Sequence, residues 1–190
     1  MTAKDTAGLL LDQAQALVQD RGFNAFSYKN LAESVGIRTA SVHYHFPSKE
    51  DLGLALMQRY TAQLNELLSS LDTRRISHRA KLGGLIDAYA ETEKRGAICL
   101  CGSLATDLHT LPSALQSAVA TYLDRTTDWV RGILEQGSEA GDFSFQGKPA
   151  DLAASLIAGL QGALLLSRGS GGVPLVAAVR RSFLTSLRQD

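Results

Sequence analysis

Cysteine is scarce in this chain of 190 residues, which has only Cys99 and Cys101. Two cysteines at this spacing provide no disulfide framework and are compatible with a reducing compartment, so we expect a cytoplasmic protein. The segment Met1–Gly8 lacks a basic region followed by an apolar one, and no apolar run reaches the length of a membrane span. We therefore expect neither a secretory signal nor contact with a membrane.

An excess of charge of one sign is also absent, because 19 Lys and Arg residues balance 19 Asp and Glu residues. The chain as a whole has no electrostatic attraction for nucleic acid, and residues 1–52 carry five basic and six acidic residues. Within residues 21–49 the balance reverses, since four basic residues against one acid, Glu33, give a net charge of +3. Any nucleic-acid function must rest on this local placement.

The motifs of common enzyme and metal sites are missing as well. The chain contains no Gly-x-Ser-x-Gly, no His-Glu-x-x-His and no Cys-x-x-Cys, and no Lys-Ser or Lys-Thr follows its Gly-rich run at 169–172. The histidines are scattered over separate segments. The sequence therefore predicts no enzyme, no cofactor and no metal site.

The residues that are abundant favour helices. Alanine and leucine are frequent, and hydrophobic residues make up 45% of the chain. Apolar residues recur at helical spacing in long stretches separated by glycine, proline or polar residues. These stretches predict helices over about residues 4–22, 48–71, 77–94, 112–138, 149–167 and 173–188. The run Ala97–Leu111 is rich in small, apolar and weakly polar residues, and we assign no helix to it.

The segment Phe26–Leu52 predicts two short helices joined by a tight turn. Ser27 is a suitable N-cap for the first helix, and Gly36 lies where a left-handed residue would end it. The second helix extends over about residues 39–45, and Pro47 stops it. Ser48 and Asp51 then have the spacing of a capping box for a third helix. Together with the helix at 4–22, these elements predict a three-helix domain that ends near residue 47.

The outer face of the second short helix suits the major groove of DNA. It presents small and hydrogen-bonding side chains that can reach base edges, while nearby hydroxyl, amide and basic groups can meet phosphates. The alternative is a helical hairpin whose exposed polar residues only keep the protein soluble. The residues on this face are Arg38, Thr39, Ser41, His43, Tyr44 and His45.

Specific residues in this segment extend the argument. The pairs Leu31-Ala32 and Gly36-Ile37, followed by Ser41-Val42 and the run Tyr44–Leu52, resemble the DNA-binding domain of the TetR family of one-component repressors. The resemblance covers about residues 8–55. His43 and Thr39 depart from it, because the family usually has Tyr and often has Lys at these positions.

The resemblance implies an all-α fold with an N-terminal three-helix helix-turn-helix domain, residues 1–47. A C-terminal helical bundle, residues 48–190, would bind a ligand and form a two-fold dimer. The implied function is a repressor that a small molecule releases from a pseudo-palindromic double-stranded DNA operator. Phosphate contacts carried over from the family fall on Ser27, Tyr28, Tyr44 and Lys49, while Arg38, Thr39, Ser41 and His43 face the bases. Lys29 and His45 complete the set of expected DNA-binding residues.

The C-terminal region carries the expected ligand and dimer residues. TetR-like C-terminal domains resemble one another as bundles with an internal cavity, which needs apolar walls and a few polar groups. Candidate ligand-binding residues are Tyr89, Cys99, Cys101, Leu104, His109, Tyr122, Thr126, Trp129 and Phe143. The last two helices are apolar around most of their circumference, which indicates a dimer interface or, alternatively, an intramolecular core. Candidate interface residues are Leu156, Leu160, Ala163, Leu164, Val176, Val179, Phe183 and Leu187.

Two alternatives remain open at this stage. The run Gly96–Ala105 is similar to a segment of one TetR subgroup, some of whose members sense reactive electrophiles or small organic acids. The first alternative is that Cys99 or Cys101 acts as a thiol-based sensor, although apolar neighbours argue for inert buried thiols. The other alternative is a helical protein-interaction module that does not bind DNA.

Overall fold

The structure, a computed structural model, describes residues 3–188 and is built of helices throughout that range. They are α1 (Ala3–Arg21), α2 (Tyr28–Val35), α3 (Thr39–His45), α4 (Lys49–Thr73), α5 (His78–Lys94), α6 (Leu100–Thr106), α7 (Ser113–Glu139), α8 (Pro149–Gly169) and α9 (Val176–Ser186). A 3-10 turn, Leu108–Thr110, lies between α6 and α7. The all-α fold class is confirmed. The new elements are α6 and the 3-10 turn, within the run to which the sequence assigned no helix.

The chain forms two compact units. The first comprises residues up to 62 together with 100–122, and the second comprises residues 63–99 and 123 onward. The helices α4 and α7 each contribute to both units. The unit that holds the short helices therefore extends past residue 47 and takes in α6, whereas the domain boundary expected at that residue stays a prediction.

The core of the first unit is built from the inward faces of α1 to α4. Leu10, Leu31 and Val42 are fully buried, and Phe23 and Phe26 from the loop between α1 and α2 are almost as well covered. Val35 and Ile37, at the end of α2 and in the turn after it, are only partly buried. Arg59 on α4 joins the exposed surface of α1 through its guanidinium, which donates to Asp12 Oδ1 at 2.7 Å and to Gln15 Oε1 at 3.0 Å.

The second unit packs α8 and α9 against α5. By length and composition alone, the helix α8 could cross a membrane. The sequence did not predict this, because no uninterrupted apolar run reaches that length. Its inward residues, including Leu156, Ile157 and Leu160, lie in the core of this unit. Packing within the bundle therefore accounts for much of its apolar character.

The connection between α7 and α8 in this unit is held by a histidine–carboxylate contact. Asp142 Oδ2 accepts from the backbone N–H of His78 at 3.1 Å and lies 2.7 Å from His78 Nδ1. These side-chain and backbone hydrogen bonds from His78 lower the pKa of Asp142. Phe143 packs directly over Gly137, where any Cβ would collide with its ring.

The start of α9 depends on a residue from another helix. Its N-cap, Leu175, has no side chain that can accept a hydrogen bond. Glu93 of α5 takes that role, because its Oε1 accepts from the backbone N–H of Leu175 at 2.6 Å and of Val176 at 3.1 Å. A carboxylate at this position satisfies unpaired N–H groups and also interacts favourably with the helix dipole.

Glu93→Ala should therefore loosen α9 from α5. We expect the free energy of unfolding to fall by about 1–2 kcal/mol, the usual cost of losing an N-cap. Glu91→Ala is the matched control, since Glu91 lies in an exposed pair with Lys94, and we expect it to cost clearly less stability. Urea titrations of both variants measure the difference, and equal losses would contradict the capping role.

Candidate nucleic-acid interface

The turn between α2 and α3 is fixed by local hydrogen bonds. The hydroxyl of Ser27 accepts from the backbone N–H of Asn30, and the Asn30 side chain accepts from the backbone N–H of Ser27. Gly36 ends α2 with a left-handed φ of 74°, and the N–H of Ile37 donates to the carbonyl of Ala32 at 3.0 Å. The predicted Ser27 cap and Gly36 turn are thus confirmed.

The helix α3 turns a polar face to solvent. Val42 is fully buried beneath it, whereas Tyr44 is 79% exposed. Arg38, at the N-cap, and His43 are exposed, while Thr39, Ser41 and His45 are half-buried. The short helix is therefore not covered by the rest of its own unit, and its outer face has the chemistry that a DNA groove requires.

Tyr28 supports α3 from beneath. Its ring makes an edge contact with the His43 ring, with centroids 4.8 Å apart, and its hydroxyl donates to the carbonyl of Ser48. Burial, with a smaller contribution from the negative charge of Asp51, raises the pKa of Tyr28 to about 12. The Tyr28 hydroxyl already has an internal acceptor, so this structure gives it a supporting role rather than the phosphate contact expected from the resemblance.

Lys49 also points inward, although it was expected to contact phosphate. Its Nζ donates to the carbonyl of Phe26 at 2.5 Å. The ammonium also lies over two aromatic rings, 4.3 Å from the centroid of Phe26 and 4.9 Å from that of Phe23. Burial lowers the pKa of Lys49, and the Asp107 carboxylate acts in the opposite direction. The ammonium thus fastens the start of α4 to the loop between α1 and α2.

The expected DNA-binding residues therefore divide into two groups. Ser27, Tyr28 and Lys49 have their polar atoms engaged within the unit, by the cap of α2, by Ser48 and by Phe26. The second group lies on the outer surface of α2 and α3, and its contacts with DNA stay predictions. Its members are Lys29, Arg38, Thr39, Ser41, His43, Tyr44 and His45.

The expected ligand residues are distributed over both compact units. In the first unit, Cys101 Sγ lies 3.9 Å from Met57 Sδ, and Tyr122 stacks on Tyr60 with ring centroids 5.0 Å apart. Leu104 is buried in the same unit, whereas His109 is exposed. Met57 and Tyr60 are neighbours of these residues that the sequence did not single out, because nothing local distinguishes them from ordinary core residues of α4.

In the second unit, several expected ligand residues are buried, namely Tyr89, Cys99, Thr126 and Phe143. The Tyr89 hydroxyl lies 3.5 Å from Gln161 Nε2, which was not predicted. Trp129 is only half-buried, and its indole N–H donates to Asp72 at 3.0 Å. Phe143 is occupied by packing over Gly137. Trp129 and Phe143 thus have structural roles within this unit, while Tyr89 and Thr126 place polar groups in its apolar core.

The expected dimer residues lie mostly inside the single chain. Seven of the eight are buried there, and Val179 packs against Gly159. These side chains therefore occupy an intramolecular core, which was the alternative to a dimer interface. The same part of the chain leaves other apolar side chains uncovered, since Leu165, Leu166 and Val173 are 54%, 62% and 52% exposed.

Two family models match the chain. The model described as "Bacterial regulatory proteins, tetR family" matches residues 10–56, and "Tetracyclin repressor-like, C-terminal domain" matches residues 79–183. The HTH-type transcriptional repressor DhaR of Mycobacterium sp. (strain GP1) is 24% identical over 82% of this chain and 79% of its own. The repressor NemR of Escherichia coli (strain K12) is 26% identical over 88% of this chain and 86% of its own.

Solved structures share the whole fold. A TetR family transcriptional regulator from Agrobacterium tumefaciens is similar with a TM-score of 0.93 and 28% identity, covering 98% of this chain and 100% of that one. A TetR transcriptional regulator from Legionella pneumophila has a TM-score of 0.84 and 31% identity, covering 95% of this chain and 96% of the other.

Lys29→Ala and Lys49→Ala should separate a phosphate contact from a structural one. Loss of the exposed Lys29 should lower the slope of log affinity against log salt by about 0.9, because one fewer counterion is released. Loss of Lys49 should leave that slope unchanged and cost about 1–3 kcal/mol of stability, since it removes a charged hydrogen bond and two ring contacts. Salt titrations on duplex DNA and urea unfolding measure both. A reduced slope for Lys49→Ala would contradict its inward role.

Proposed function

Given that the chain belongs to the TetR family of bacterial transcriptional regulators, we propose that it is a repressor released from its DNA operator by a small molecule. The observation that carries this proposal is the exposed polar face of α3. This face includes Tyr44, and the buried Val42 packs beneath it. A helix of this size can enter the major groove, where side chains read base edges. Membership of the TetR family supports the proposal that this face binds in a DNA groove.

Within this proposal, recognition is divided among the exposed residues. Arg38 at the N-terminus of α3 and Ser41 on its first turn are the residues for base contacts, because the N-terminal part of a recognition helix contacts base edges. Lys29 and Tyr44, at the margins of the face, are the residues for phosphates. Ser27, Tyr28 and Lys49 act indirectly, by holding α2, α3 and the start of α4 in place.

We propose that the repressor acts as a homodimer, because a single α3 reads only half of an operator. The exposed Leu165 and Leu166 near the C-terminal end of α8, with Val173 after it, form an uncovered apolar surface. Apolar groups of this size on a soluble regulator favour burial against a second copy. Two-fold symmetry in the protein then calls for a pseudo-palindromic operator.

The effector in this proposal is a small molecule that enters the helical bundle. Buried polar groups in the apolar core of the second unit, among them Tyr89, Thr92 and Thr126, supply the few hydrogen-bonding groups that orient a ligand. Gln161, beside the Tyr89 hydroxyl, belongs with them. Binding that favours a bundle geometry unsuited to the operator would lower DNA affinity, on the usual scale of about 5- to 150-fold.

A thiol-based trigger is the second candidate. A crystal structure of the relative NemR from E. coli describes a reduced form of that protein. In this chain neither cysteine is in a disulfide within the described residues and both are buried, with Cys101 fully covered and in contact with Met57. A covered thiol among apolar groups reacts slowly. We therefore favour non-covalent binding of the effector.

Selection of DNA tests the central proposal. Duplexes retained by the protein from a random pool at low salt should converge on an inverted repeat. Arg38→Ala should change the preferred bases, with a loss of about 1–3 kcal/mol on the original operator, because a base contact is removed. Lys29→Ala serves as the control and should weaken all duplexes by a similar factor. Failure to retain any duplex would contradict the proposal.

The dimer surface has its own test. The double variant Leu165→Glu/Leu166→Glu should sediment as a monomer with unchanged helix content, because two carboxylates cannot be buried against a second copy. Its operator affinity should fall by about 100-fold or more, since the linkage of two binding helices is lost. Leu9→Glu is the control, as Leu9 is also an exposed leucine but lies on α1. A dimeric double variant would contradict the assignment of this surface.

A further inference from the structure

Helix α6 and the 3-10 turn after it lie in the C-terminal family domain by sequence but in the first compact unit by structure. Their residues lie within the match to the C-terminal family domain, residues 79–183. In the folded chain, however, residues 100–122 form one compact unit with α1, α2, α3 and the first part of α4. The helix α6 packs on α1. Part of the C-terminal family domain therefore belongs to the same compact unit as α3.

Asp107 makes the most specific contact of this segment. Its Oδ2 accepts hydrogen bonds from the backbone N–H of Phe23 at 2.9 Å and of Asn24 at 3.3 Å. These N–H groups belong to the loop that leads from α1 into α2. The approach requires glycine beside it, because Gly22 has a φ of 88° and a Cβ there would lie 3.2 Å from Asp107 Oδ2.

Further hydrogen bonds reinforce the same junction. Asn24 Nδ2 donates to Thr110 Oγ1 at 2.6 Å. In the middle of α6, the buried Ser103 hydroxyl donates to the carbonyl of Val18 at 2.6 Å, near the end of α1. The segment 103–110 is thus joined to α1 and to the following loop by side-chain hydrogen bonds between residues more than 80 positions apart in sequence.

The loop that Asp107 holds is also held from the other side. Lys49, at the start of α4, binds the carbonyl of Phe26 and covers the Phe23 and Phe26 rings. Ser27, the next residue, caps α2. The loop is therefore fixed by a carboxylate from the α6 side and by an ammonium from α4, and its position determines where α2 and α3 begin.

We propose that Asp107 is a positioning residue for operator recognition, which makes the placement of α2 and α3 depend on the position of α6. The carboxylate does not touch DNA. It acts through the N–H groups of Phe23 and Asn24, so that displacement of α6 releases the loop and lets the recognition helix leave its operator geometry. This inference rests on the proposed function and adds the residue through which the C-terminal segment reaches the DNA-binding surface.

The test compares specific with non-specific DNA binding. The proteins are the full-length dimers of wild type, Asp107→Ala and Asp107→Asn, and the probes are the selected operator and a scrambled duplex of equal length. Asp107→Ala should lose between 5- and 150-fold in operator affinity, the usual scale of coupling between sites. Its affinity for the scrambled duplex and its salt slope should stay unchanged, since no phosphate contact is removed. Asp107→Asn retains an acceptor oxygen and should recover part of the loss.

Amide hydrogen exchange adds a readout at the junction itself. In Asp107→Ala the amides of Phe23 and Asn24 should exchange at least 10-fold faster than in the wild type, because their acceptor is gone. Asp128→Ala is the control, since Asp128 lies in a surface pair with Arg131. Should Asp107→Ala fail to fold, Asp107→Asn and Thr110→Val carry the test, and each should show a smaller loss restricted to the operator.

The outcomes are distinguishable. Unchanged operator affinity in the Asp107 variants, or an equal loss on both duplexes, would overturn the inference and leave the proposed function standing. No retention of any duplex by the wild-type protein would overturn the proposed function, and the inference with it. Loss confined to the operator, with faster exchange at Phe23 and Asn24, supports the positioning role.

Discussion

A helix as short as α3 is not stable in water by its own hydrogen bonds, so the DNA-binding face depends on burial beneath it. Val42 supplies that burial, since it is completely covered. The turn at Gly36 and the carbonyl of Ser48, bound by Tyr28, hold the two ends of the α3 region. The exposed residues of α3 are therefore not required for the stability of the helix, because that stability comes from the buried residues beneath it.

The same constraint gives several residues of suitable chemistry a structural role inside the unit. Ser27, Tyr28 and Lys49 each have a hydroxyl or ammonium group, but each group has a partner inside the unit. The exposed cations between residues 21 and 49 are Lys29, Arg38 and Arg21, the last of which forms an exposed pair with Asp20. With few cations, binding depends less on counterion release, and fit to the bases contributes a larger share of the affinity.

How much the sequence predicts depends on how far apart the interacting residues are. Some features join residues only a few positions apart, namely the Ser27 and Ser48 caps, the Gly36 turn and the stop at Pro47. Their spacing is visible in the sequence, and each was predicted from it. Asp107 and Glu93 bind backbone groups 84 and 82 positions away, and no local pattern marks such a carboxylate. The sequence also does not separate dimer residues from core residues, because apolarity around α8 identifies a buried helix but does not say which side its own chain covers.

The position of Asp107 also has a thermodynamic consequence in the reverse direction. If α6 sets the geometry of α2 and α3 through the loop at Phe23, then DNA that holds α2 and α3 must restrain α6 by the same free energy. An effector that requires α6 to move will bind the DNA-bound protein more weakly than the free protein, by the factor by which it weakens DNA binding. Substitution of Asp107 should reduce both effects together, because the same contact contributes to the coupling in each direction.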